Sequence, residues 1–74
     1  MGTKNDPGEY DCYANAKDDE PMFVLLARDP IAPVLVHLWV MMRGLMGKMN
    51  PEKDIEAQNC AAEMKRWKLR NPDV

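Results

Sequence analysis

Ile31 to Met42 is a run of twelve positions that only Pro33 and His37 interrupt with anything but a strongly apolar side chain. No other part of the sequence is so apolar. The wider stretch, Pro30 to Asn50, is the segment around which the rest of the chain has to be arranged. Asp29 followed by Pro30 is a helix-start signal, because the carboxylate caps free amides and proline at the first helical position gives up a donor that has no partner. Pro33 makes the first turn irregular or moves the regular helix toward Ala32. From there Val34, Leu38, Met41 and Leu45 share one face, and Leu35, Trp39, Met42, Met46 and Met49 share a second beside it. Two adjacent apolar faces are more than the single stripe of an ordinary surface helix, and they predict a helix buried on most sides. Gly44 and Gly47 weaken its last turns, and Asn50-Pro51 ends it.

A membrane-spanning helix needs about 20 consecutive apolar residues, and this run stops before Arg43. The run also starts too far from Met1, behind an acidic segment, to read as a signal peptide. At 74 residues the chain is at most one domain, and chains of this size bury only about 60% of their unfolded surface. They usually need a staple or a partner. Cys12 and Cys60 do not make a disulfide framework, and neither has the spacing of a zinc ligand set. Two free thiols and a reducing cytoplasm are the expectation.

The net charge of −2 is unevenly spread: residues 1–20 hold six acids and two bases, and residues 21–74 hold six acids and eight bases. Met1 to Asp11, broken by Gly2, Pro7 and Gly8, reads as a flexible acidic arm continuing to residue 20. Tyr10, Cys12 and Tyr13 are expected to pin that arm to the helical body. Asp18-Asp19-Glu20 reads as a solvated turn. Pro21 to Arg28 has the composition of a strand, but Phe23, Leu26 and Ala27 also share a helical face. The reading favoured here is a short extended or strand-like segment over 21–28, which would pair with its copy in a dimer.

Asn50-Pro51-Glu52 opens a second helix, with Glu52, Asp54 and Glu56 at its positive end and Lys65, Arg66, Lys68 and Arg70 at its negative end. Ala57, Cys60, Ala61, Met64 and Trp67 form its one narrow apolar stripe. The expected fold is therefore mainly α. It is an antiparallel two-helix hairpin, about 30–48 and 51–70, within a folded core of 21–70. The narrow stripe cannot cover both apolar faces of the first helix. Dimerisation into a four-helix core is the economical solution, with Phe23, Leu35, Leu38, Trp39, Met42 and Met46 as the partner or dimer interface.

Catalytic groupings are not found. His37 is the single histidine and reads as a core residue. Cys60 lies on an apolar stripe, and Cys12 has no histidine near it in sequence to activate it. There is no phosphate-binding glycine loop. The sequence is read as non-enzymatic, without cofactor or metal. Lys65, Arg66, Lys68 and Arg70, grouped around Trp67, are the one cluster suited to nucleic-acid contact, although no helix-turn-helix or series of stacking aromatics accompanies them. The seven methionines serve as core filler or as an adaptable binding surface.

The segments YDCYANA, DEPMFVLLARDPIAPVLVHLW and CAAEMKRW, which span Tyr10 to Trp67, resemble a family of small uncharacterised proteins encoded by bacteriophages and prophages. The residues carrying the resemblance include Tyr10, Cys12, Pro21, Phe23, Asp29, Pro33, Trp39, Cys60, Met64 and Trp67. The resemblance implies action in the cytoplasm of an infected bacterium and implies no particular chemistry. Small phage proteins often bind and block host machinery, so it favours a module that modulates a host defence or regulatory factor through protein–protein binding. A nucleic-acid-associated regulator and a minor structural component of the virion are the alternatives.

Overall fold

The computed structural model describes residues 1–74 and is mainly helical, with no strand. Helix α1 is a single turn, Cys12–Asn15; α2 spans Ala32–Leu45; α3 spans Pro51–Arg70.

Helix α3 has the bounds its flanking signals predict. The Asn50 side chain accepts the amide of Lys53 at 3.3 Å, and Pro51 takes the first position. Helix α2 is shorter than the expected 30–48 at both ends. Asp29 accepts the Ile31 amide at 3.0 Å, and regular helix begins only at Ala32. Pro33 then lies in the first turn, where its missing donor costs nothing. At the other end Gly47 adopts the left-handed conformation (φ 71°), which lets the Lys48 amide reach back to the Arg43 carbonyl at 2.8 Å. That bond satisfies an end carbonyl and stops the helix.

The segment 21–28, expected to be extended or strand-like, forms no strand: residues 21–26 have no regular structure and 27–28 form a turn. No backbone amide from Met22 to Arg28 is hydrogen-bonded within the chain. A strand exists only as one half of a ladder, and a lone protomer offers no second half.

Helices α2 and α3 pack on one another, but through a stripe different from the two expected. The covered positions of α2 are Ala32 and Pro33, followed at helical spacing by the half-buried Val36, Val40 and Arg43. Those of α3 are Asp54, Ala57 and Ala61. The only buried apolar side chains besides Pro33 are Ala32, Ala57 and Ala61, and no large side chain is fully buried. Alanine permits close approach of two helix backbones. The bulkier Val34/Leu38/Met41/Leu45 face is left outside, and His37, expected in the core, is exposed.

A polar clasp closes the same junction. Arg43 Nε donates to Asp54 Oδ1 at 3.0 Å, and an Arg43 terminal nitrogen donates to the Lys48 carbonyl at 2.9 Å. The other Asp54 oxygen accepts the Asn50 amide at 3.1 Å. Asp54 is thus the one buried charged side chain, with both oxygens engaged. Removing it strands a half-buried guanidinium and a backbone donor. Asp54→Ala should lower stability by about 2–3 kcal/mol, read as a shift in the urea midpoint; a change below ~0.5 kcal/mol, the range of ordinary surface substitutions, would show that the clasp is incidental.

The amino-terminal arm, expected to be flexible, is folded against α3. Glu56 organises it. Its carboxylate accepts the Met1 amino group at 2.6 Å, the Tyr10 amide at 3.1 Å and the Glu9 amide at 3.2 Å. The Met1 amino group also donates to the carbonyls of Pro7, at 2.6 Å, and Tyr10, at 2.7 Å. Gly8 makes the closure possible, because it has φ 81° and a Cβ there would strike both the Glu56 carboxylate and the Met1 carbonyl. The ring of Tyr10 is half-buried and its hydroxyl donates to Glu52 at 3.2 Å, so Tyr10 does pin the arm. Cys12 and Tyr13 do not, since both are exposed.

The bond from the Met1 amino group, with the two backbone amides, holds the Glu56 carboxyl below its ordinary 4.5. A lowered folded-state value means that this contact stabilises the arm fully above the ordinary carboxylate value and is lost as pH falls through the depressed one. The amides of Glu9 and Tyr10 should therefore lose their exchange protection only below about pH 4.5. Glu56→Gln and Gly8→Ala should each speed tryptic cleavage after Lys4 at neutral pH. Unchanged cleavage in both variants would mean that the arm is held by something else.

Candidate functional site

The protomer leaves much of its apolar surface in water. A compact chain of 8.5 kDa exposes about 4,700 Å², whereas this one exposes 6083 Å². The surplus is about 1,400 Å² relative to that scaling, and large apolar side chains contribute heavily to it. Of the six residues expected at an interface, Phe23 is 86% exposed, Met46 67%, Met42 46%, Leu38 45% and Trp39 40%; Leu35 is half-covered. Sequence reasoning omitted Met22, Val24, Ile55 and Leu69 from the interface, and these are also exposed. The first two belong to the irregular segment, whose outward positions no periodicity could identify.

Trp39 has the most structured surroundings of this group. The Arg43 guanidinium lies 4.7 Å from its ring centroid and the Lys53 ammonium 5.8 Å away. Arg43 is itself held by Asp54, so the indole is set by the same clasp that joins the helices. Cation–π attraction holds the ring without removing the side chain from solvent. A large aromatic held in place before binding loses little freedom on binding, which is the physical profile of an interface anchor.

The basic cluster is not a uniform set of free cations. Arg66 is paired with Glu63, and the Lys68 ammonium donates to the carbonyl oxygens of Pro72 and Val74. Lys65 and Arg70 make no such contact. Trp67 is half-buried rather than stacked outward.

It lines a groove of about 510 Å³ between α3, residues 25–28 and the arm. The single stripe read for α3 is thus two: Ala57 and Ala61 turn to α2, while Cys60, Met64 and Trp67 line this groove. Burial raises the Cys60 thiol above its ordinary value, which makes it a poor nucleophile at neutral pH. Both cysteines are free thiols. No three His, Cys, Asp or Glu side chains gather to hold a metal ion. No helix is long and apolar enough to cross a membrane.

Compared with protein-family models, with curated proteins and with solved structures, the chain matches none.

Proposed function

We propose that this chain is a non-enzymatic protein-binding module whose α2–α3 unit is an antiparallel hairpin and whose working form is a homodimer with a four-helix core. The observation that carries this reading is the surplus of exposed apolar surface around Leu38, Trp39, Met42 and Met46. If pairing two copies removed the whole surplus of each chain, about 2,800 Å² would leave water; that lies in the range of obligate homodimers, roughly 2,000–5,000 Å². Exposed apolar residues on α3, Ile55 and Leu69, are available to a second protein. The resemblance to small phage-encoded proteins supports a host factor in an infected bacterium as that protein, with modulation or inhibition of the factor as the outcome. The basic helix end is a weaker candidate for function, because Arg66 and Lys68 already have partners within the chain.

Leu38 and Met42 are both exposed on the protomer, so Leu38→Glu with Met42→Glu alters none of the residues buried between α2 and α3. The pair should weaken dimerisation at least 100-fold, since two apolar anchors near the centre of an interface are worth about 2 kcal/mol or more each. Sedimentation of the wild-type chain at micromolar concentration should give a dimer; a monodisperse monomer refutes the self-association. Affinity capture from infected cells should recover one dominant host protein with the wild-type chain. Recovery of nucleic acid or virion proteins in its place would overturn the assignment to a host protein.

A further inference from the structure

The groove between α3, the arm and residues 25–28 has a charge pattern that the total composition hides. Its apolar lining includes Leu25, Met64 and Trp67. Two of its three acids are ion-paired within the chain, Glu56 with the Met1 amino group and Glu63 with Arg66, and the third, Asp6, accepts the Gly8 amide at 3.4 Å. Its bases, Lys4, Arg28 and Arg70, form no ion pair. The groove therefore presents apolar walls beside three unpaired cations, and it fits a segment that carries acids next to an apolar side chain.

The same chain has such a segment in Asp18-Asp19-Glu20-Pro21-Met22-Phe23. Its acids make no ion pair, Glu20 accepting only the Lys17 amide at 3.1 Å, and Phe23 is the most exposed large apolar side chain of the protomer at 86%. Phe23 stands only two residues before Leu25, which lines the groove, yet it lies outside the groove of its own chain. We infer that the acidic segment 18–23 of each copy docks in the groove of the other, with Phe23 against the apolar walls and Asp19 and Glu20 facing Arg28 and Arg70. Because donor segment and acceptor groove adjoin in sequence, a two-fold axis beside residues 23–25 brings each to its counterpart, and the exchange is reciprocal as a two-fold interface requires. This rests on the proposed self-association and specifies a second contact within it.

Charge exchange between chains tests the inference. Arg28→Glu with Arg70→Glu reverses the groove, and Asp19→Lys with Glu20→Lys reverses the segment. Each double variant alone sets like charges against one another and should dimerise at least tenfold more weakly by sedimentation. A 1:1 mixture of the two should recover wild-type affinity as a heterodimer, since both exchanges are then oppositely charged. Lys48→Glu with Lys65→Glu, which changes the net charge as the groove variant does but away from the groove, should dimerise as the wild type does. Undiminished dimerisation of the two groove and segment variants would overturn the exchange and leave the four-helix core standing. Weakening without rescue on mixing would show that the segment acts on its own chain. A control variant weakened to the same degree would reduce the effect to overall charge. A monomeric wild-type chain would remove both proposals together.

Discussion

Two helices that meet through alanine set the terms for everything else in this protein. Ala32 on one side and Ala57 and Ala61 on the other bring the backbones close, and the Arg43–Asp54 pair fixes the junction at the connecting turn. Small side chains make a close contact but a thin one. Burial stabilises in proportion to apolar area removed from water, and three alanines remove little. The bulk of the apolar side chains on α2 must then stay outside the contact.

This division explains which parts of the fold could be read from the chain. The ends of α3 are marked by Asn50-Pro51 and Asn71-Pro72, and local signals of that kind act over a few residues. The surplus of apolar surface on α2 was also legible, because it follows from counting faces. The face that contacts α3 was not. It consists of Ala32, Pro33, Val36, Val40 and Arg43, and a pattern that ranks positions by hydrophobicity passes over alanine, proline and arginine. The arm failed for a different reason. Its glycines and proline suggest freedom, but Glu56, more than forty residues away from Glu9 and Tyr10, collects their amides. A bond across that separation leaves no local trace.

The candidate site divides in the same way. Phe23, Leu38, Trp39, Met42 and Met46 were identifiable as apolar side chains without sufficient cover. The approach of a second cation, Lys53, to Trp39 was not, since Trp39 and Lys53 belong to different helices. Nor was the groove, whose character depends on which charges are already paired. Sequence shows a mixture of acids and bases there, and only the pairing leaves the bases free. The arm takes part in this, because its amino group neutralises Glu56 and its Lys4 joins the free cations.

The choice of side chain on the uncovered surface has a chemical side. Met22, Met41, Met42, Met46 and Met49 are each 46–67% exposed. A thioether open to solvent takes up oxygen from peroxide to become a sulfoxide, which is polar and chiral where the parent was pliable and apolar. An oxidant that reaches the exposed methionines would make the surface more polar and weaken the association proposed for it. Where a partner shields these sulfurs, the same oxidant leaves it intact. On the proposed interface, methionine would give an adaptable contact and, with it, a sensitivity to redox conditions that leucine at the same positions would not carry.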